Sequence, residues 1–258
     1  IYDQDRRLVR LEPDSPPERN VVCLTRDPVA GTLIASTDTG LFVREGESWR
    51  QIVSGAPGMR LFSPKTDGSR WLYCARGEIG WIHRTATGYW TESFPAPELG
   101  DIYGGITDAD DTAWLELGSG RCARIDTSGT VPKLRIYTDQ QGLSTGWVQL
   151  FIFEGAARVC VSGRTMRLDP TTDRFVVDDS MAQQFPLLGD IYAASRTAHD
   201  AHGNLWALWD NDVIRLSRDG TAQPVPGLFG LRPYYIIPQA DGTVWLLRDG
   251  TMVRYDPA

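Results

Sequence analysis

The sequence predicts an all-β fold, a propeller of four-stranded blades, from a hairpin that recurs along the whole chain and a composition suited to short strands. Six copies of the hairpin can be aligned: Gly31 to Arg44, Gly68 to Arg84, Asp111 to Asp126, Ala156 to Asp169, Gly203 to Leu216 and Gly242 to Asp256. Each runs turn, strand, tight turn, strand. Trp71, Trp114, Trp206 and Trp245 hold one equivalent position, three residues after the turn residue, and Ile34 and Val159 hold it in the other two copies. The anchor recurs at steps of 37, 43, 45, 47 and 39 residues. A period of roughly 40 with strand pairs in each unit marks a propeller blade, because one such unit cannot bury both faces without neighbours. The 26 Gly and 16 Pro supply turns, and the 41% of hydrophobic residues fall in short runs rather than helical stripes.

A seventh, truncated copy opens the chain. Ile1 to Pro13 superposes without a gap on Trp245 to Pro257. The expectation is a single propeller domain over residues 1–258, seven-bladed, or six-bladed if residues 1–20 complete the last blade, and an excerpt of a longer receptor. All-β units of this length commonly form one domain.

Within each unit the pattern divides into an inner strand, the anchor strand, a third strand and an outer strand. The inner strands are expected at Val21–Leu24, Met59–Phe62, Tyr103–Ile106, Val148–Phe151, Ala193–Arg196 and Tyr234–Ile237. The tryptophans of the next strand then fill the gap between blades, which assigns them to packing. Pro13 to Pro17 and Pro95 to Pro97 read as loops. Ser180 to Phe185 is the one stretch that reads as a single helical turn.

Charge and cysteine usage exclude more than they assign. With 26 basic against 33 acidic residues the net charge is −7, which argues against a nucleic-acid partner. No run approaches the ~18 apolar residues of a membrane span. Cys23, Cys74, Cys122 and Cys160 sit on separate repeats without zinc spacing and read as free thiols, with a Cys74 to Cys122 bridge as the alternative. No cofactor signature is present. His199-Asp200-Ala201-His202 is the strongest enzyme-like cluster, but it falls in the turn before an anchor strand and lacks a third metal ligand. His83 lies on a third strand.

The wording of the aligned repeat points to a family. Asp200-Ala201-His202-Gly203-Asn204-Leu205-Trp206, Asp241-Gly242-Thr243-Val244-Trp245 and the segment Gly31 to Arg44 together approximate D-x-x-G-x-L-W-x-x-T-x-x-G-L-x-R. This resembles the two-component regulator propeller repeat. Tyr137 to Ser144, followed by Trp147-Val148, looks like the family's connector before an inner strand, and Leu168 to Phe175 like its third-to-outer strand turn. The unit at Ala156 departs from the pattern, lacking both glycine and tryptophan. The resemblance implies a non-catalytic sensor on the periplasmic or extracellular side of a bacterial membrane, in a membrane-anchored receptor with a histidine kinase or diguanylate cyclase output. The partners it implies are a small molecule or glycan, adjacent domains of the same receptor and a homodimer formed through the full receptor. No membrane contact by this segment is expected. The alternatives are a protein-interaction scaffold and a lyase of the streptogramin type.

If a small ligand binds, the loops leading into the inner strands and the tight turns between second and third strands should surround it. They supply Arg60, Tyr103, Trp147, Tyr192 and Tyr234 from the first set, and Arg76, Glu78, Arg164, Asp210 and Asp212 from the second. Aromatic faces for stacking and charged groups for orientation are the usual division of labour in a pocket.

Overall fold

A computed structural model describes residues 21–27, 29–37, 39–55, 59–62, 70–180, 183, 197–200, 202–209, 212–217, 221–225, 235–238, 242–248 and 251–256. The predicted N-terminal copy and the inner-strand segment at 193–196 lie outside these residues. The chain is a β-propeller of four-stranded blades, and the described strands form six sheets, each ordered as in sequence. The first contains β1 (Val21–Arg26), β2 (Leu33–Thr37), β3 (Gly40–Glu45) and β4 (Ser48–Ser54). The second contains β5 (Arg60–Phe62), β6 (Arg70–Ala75), β7 (Glu78–Thr85) and β8 (Gly88–Pro95). The third contains β9 (Gly104–Thr107), β10 (Ala113–Glu116), β11 (Cys122–Asp126) and β12 (Lys133–Tyr137). The fourth contains β13 (Val148–Phe153), β14 (Ala156–Val161), β15 (Arg164–Asp169) and β16 (Arg174–Val177). The fifth contains β17 (Thr197–His199), β18 (Leu205–Trp209), β19 (Asp212–Leu216) and β20 (Ala222–Pro224). The last has three described strands, β21 (Tyr235–Pro238), β22 (Val244–Arg248) and β23 (Thr251–Tyr255).

The chain divides into two compact units, residues 1–105 with 125–134 and residues 106–124 with 135–258. In the first unit β2 and β6 are buried along nearly their whole length, whereas the outer strands β4 and β8 are largely exposed. A strand covered on both faces reads as a continuous apolar run, and that is how Trp71-Leu72-Tyr73-Cys74-Ala75 reads. Its anchor, Trp71, packs in one core with Ile34, Leu41 and Val43 of the neighbouring sheet. In the second unit Trp114 packs with Val148, Val159 and Met166, and Trp206 with Ile236, Val244 and Leu246. Trp71, Trp114 and Trp206 are therefore packing between sheets, as the repeat predicts, while Trp245 is half-buried.

A second device closes the hairpins. Asp200 accepts hydrogen bonds from the backbone N–H of His202 (2.9 Å) and Asn204 (2.9 Å), from Asn204 Nδ2 (2.8 Å) and from the indole of Trp206 (3.0 Å). Asp108 does the same for Asp110 N (3.1 Å), Thr112 N (2.9 Å) and the Trp114 indole (2.9 Å). Asp27 holds Val29 N (2.8 Å), Ala30 N (3.0 Å) and the Tyr89 hydroxyl (2.7 Å). The carboxylate at the head of the repeat thus fixes the turn and satisfies a buried donor on the anchor strand or outer strand. Asp111, at φ 59, adopts the left-handed conformation that Gly31 (φ 69) and Gly203 (φ 76) provide in the equivalent turns.

One short 3₁₀ turn, Asp139–Gln141, interrupts the strands. Thr138 accepts from Gln140 N, and Gln141 Oε1 accepts from Thr138 N at 3.1 Å, a reciprocal cap on the predicted connector. Gly142 ends it at φ 95, where a Cβ would meet the Phe175 carbonyl oxygen at 2.3 Å. Of the expected helical turn at Ser180 to Phe185, Ser180 and Gln183 are described and both are helical.

Candidate functional site

In the first unit the predicted residues gather at one end of the second sheet. Arg60 opens β5 opposite Cys74, and the tight turn Arg76-Gly77 joins β6 to β7 at that same end. A linker leaves β8 and returns across this end to β9. Gly77, at φ 76, ties the linker down on both sides: its N–H donates to Leu99 O (2.9 Å) and its carbonyl accepts from Ala96 N (2.8 Å). Leu99 is 1% exposed and Ile102 is also buried, so the linker is anchored by apolar contact as well.

Two arginines hold the far part of the linker. Arg60 Nη2 donates to the Tyr103 carbonyl at 2.7 Å, and Arg76 Nη1 lies 3.5 Å from Asp101 Oδ1. Both partners of the second pair are mostly exposed, which makes it a weak contact of about 0.2–1 kcal/mol. Tyr103, just before β9, is 48% exposed. Arg60 Nε is buried and has no hydrogen-bond partner.

Glu78 engages differently from the others. Its carboxylate accepts from the Tyr73 hydroxyl at 2.5 Å, and Tyr73 is buried over Gly80, where a Cβ would come within 2.4 Å of the ring. Burial and the neighbouring Glu78 push the Tyr73 phenol well above its ordinary range. Arg60, Arg76 and Tyr103 are thus brought together by the linker, while Glu78 is committed to Tyr73. Asp101, the ionic partner of Arg76, is the residue that sequence reasoning missed, because nothing in the repeat marks a linker acid 25 residues away.

In the second unit Trp147 and Arg164 share one end of the fourth sheet. The loop before β13 is pinned there: Ser162 Oγ donates to Thr145 O (2.6 Å) and Gly120 N donates to Gly146 O (2.5 Å). Trp147 follows at 52% exposure, and Arg164 begins β15 exposed, opposite Val161. Asp212 begins β19, paired with Trp209. Tyr192, Asp210 and Tyr234 lie outside the described residues.

His83 lies on the second sheet and His199 on the fifth, with His202 in the turn that follows. His202 is exposed and its backbone serves the Asp200 turn, while His199 ends β17 opposite Leu205. His83, on the third strand of its sheet, stacks on Trp90 with centroids 4.1 Å apart and its Nε2 3.5 Å from Glu92 Oε2. Among the described residues no three His, Cys, Asp or Glu side chains are placed to hold a metal ion. The four cysteines are free; Cys74, Cys122 and Cys160 are buried, and burial pushes the Cys74 and Cys122 thiols well up. The pairing weighed for Cys74 and Cys122 is absent.

No family model matches the chain, and no curated protein matches it. Solved structures do. Virginiamycin B lyase from Staphylococcus aureus superposes with a TM-score of 0.60 at 14% identity, over 90% of this chain and 82% of the lyase. The extracellular domain of a hybrid two-component system protein from B. thetaiotaomicron superposes at 0.53 and 18% identity, over 95% of this chain and 39% of that one. The β-propeller domain of Swd1 from Myceliophteria thermophila gives 0.58 at 13% identity, over 92% and 82%. Likeness at these identities establishes the propeller fold. The chain spans about two-fifths of the length of the two-component relative. No helix among the described residues is long and apolar enough to cross a membrane.

Proposed function

We propose that this chain is a non-catalytic ligand-sensing propeller module of a bacterial membrane receptor, working on the periplasmic or extracellular side. The observation that carries the reading is the end of the second sheet, where Arg60, Arg76 and the half-exposed Tyr103 converge on one linker through a neutral carbonyl and a weak exposed ion pair. Such groups can exchange a protein partner for a ligand at little cost. The structural likeness to an extracellular two-component domain, together with the repeat wording, supports the receptor setting. Occupancy would then act on an adjacent domain through differential affinity for two arrangements.

Thermal-shift screening against a metabolite and glycan panel, with and without a chelator, tests the proposal. A ligand present at a hundred times its Kd contributes about 2.7 kcal/mol, or roughly 5–10 °C for a domain of this size. The shift should vanish in Arg76→Ala and Tyr103→Ala. Turnover of any compound in the panel, streptogramin B included, would overturn the non-catalytic reading in favour of a lyase. A panel without a single shift, alongside capture of a folded protein partner, would favour a scaffold.

A further inference from the structure

The second sheet carries an aromatic platform toward its other end, away from the linker. We infer that Trp90 and Glu92, with His83 stacked against the indole, form a second binding site, for a neutral pyranose unit of an oligosaccharide. His83 lies five residues along β7 from Glu78, about 17 Å at about 3.4 Å per residue, so this site is separate from the linker end.

The register places the side chains together. β7 and β8 pair His83 with Trp90 and Trp81 with Glu92, and because side chains alternate between faces these four share one face of the sheet. The loop between β11 and β12 covers the inner part of that face. Arg70 lies over the Trp81 ring at 4.1 Å and donates to Thr127 O (3.4 Å) and Gly129 O (3.2 Å), while the Trp81 indole donates to Thr130 O (2.7 Å). Trp81 is buried under this cover, whereas Trp90, on the outer strand, is 48% exposed.

Trp90 is also held in place. Its ring stacks on the His83 imidazole with centroids 4.1 Å apart and planes 9° from parallel, which leaves the exposure of the residue to the other indole face and the edges. An indole face is electron-rich and takes the C–H face of a sugar ring, and a ring already fixed by stacking has little freedom left to lose on binding. Beside it the Glu92 side chain, 45% exposed, lies 3.5 Å from His83 Nε2 with no hydrogen bond between them. Its carboxylate is an acceptor for sugar hydroxyls, and the Trp90 indole N–H is a donor.

The surroundings select among the occupants an exposed tryptophan can take. A protein hot spot sits at the centre of a desolvated patch, whereas the exposed residues of the covering loop and the start of β12, Ser128, Gly129, Thr130 and Lys133, are small or polar, with Val131 the apolar exception. Quaternary ammonium groups are recognised by cages of several rings, and Trp90 offers one face. Glu92, in a chain of net charge −7, favours a neutral sugar over an acidic one.

The test is calorimetric titration with cellohexaose, xylohexaose and maltohexaose, with tetramethylammonium chloride as the cation probe, in an Arg76→Ala/Tyr103→Ala background that removes the linker-end site. At least one hexasaccharide should bind. Adding Trp90→Ala should weaken that binding about tenfold or more, Trp90→Phe should keep it within about threefold, and Glu92→Gln should weaken it about three- to tenfold. Trp90 and Glu92 are half-exposed, so the urea midpoint should stay unchanged in all three variants. Hexasaccharide binding that survives Trp90→Ala, binding of tetramethylammonium alone, or binding of no probe overturns the platform and leaves the sensor reading standing. Saccharide binding abolished by Trp90→Ala, in a protein whose panel shifts ignore Arg76→Ala and Tyr103→Ala, keeps the platform and overturns the reading of the linker end.

Discussion

Replacing Asp200 by alanine tests whether the repeat's leading carboxylate holds the hairpin. Trp206 has no exposed surface, and its indole N–H donates to Asp200 Oδ2 at 3.0 Å beside Asn204 Nδ2 at 2.8 Å. The substitution strands both donors inside the fold, each at about 1–3 kcal/mol. The turn amides of His202 and Asn204 also lose their acceptor, and His202 regains water because it is exposed. The net loss should be about 3–5 kcal/mol, read as a fall in ΔG from urea unfolding at constant m. Asp200→Asn keeps one acceptor oxygen and should lose about half as much. The decisive comparison is a double-mutant cycle with Trp206→Phe: with the indole donor already gone, Asp200→Ala should cost about 1–2 kcal/mol less. Equal costs in both backgrounds, or a loss below about 1 kcal/mol, would refute the reasoning.

The remaining predictions concern acid, packing and one ion pair. Burial alone would raise the carboxyls of Asp27, Asp178 and Asp200, but their hydrogen bonds outweigh it and hold all three below the ordinary value. A depressed folded-state pKa contributes stability above the unfolded value of about 3.9, which is lost as pH falls through the lower folded value. Urea midpoints should therefore change little on this account between about pH 5 and 7, then drop below about pH 4, and less steeply in Asp200→Asn. Gly80→Ala would set a Cβ 2.4 Å from the Tyr73 ring and 2.5 Å from the Glu92 carbonyl oxygen, both in packed surroundings. A loss of about 2–3 kcal/mol is expected in the same assay. Arg158 Nε pairs with Asp178 Oδ2 at 2.5 Å with both side chains largely buried. Arg158→Ala should cost about 3 kcal/mol by leaving Asp178 uncompensated, whereas Arg158→Ala in an Asp178→Ala background should cost clearly less.

The repeat was legible because its determinants are local. Trp71, Trp114 and Trp206 mark the same point in each hairpin, and burial of each between sheets follows from one period. The leading aspartate was visible only as part of a motif, and its work became clear once Oδ2 of Asp108 and Asp200 was seen to accept from the tryptophan six residues on. The 3₁₀ turn at Asp139–Gln141 carried a readable signal in Thr138 and Gln141, a capping pair, yet sat inside a stretch read simply as connector. Inner strands were placed to within a residue or two, except the fifth: its described strand is Thr197–His199, and the stretch expected to form it, 193–196, lies outside the described residues.

By itself the sequence determined the blade, its strand order and the packing role of the anchors, since those depend on spacing along the chain and on which side chains avoid water. Only the tertiary structure decided which charged residues work together. Arg60 meets Tyr103 across 43 residues, and does so through a backbone carbonyl, an acceptor every residue has and no sequence pattern distinguishes. Arg76 meets Asp101 because Gly77 captures the linker by its own N–H and C=O. Glu78, two residues after Arg76, turns to Tyr73 instead, because the missing side chain at Gly80 leaves room for that ring. Contacts made by backbone atoms and by absent side chains are set by register and approach, and they exist only once the sheets have formed.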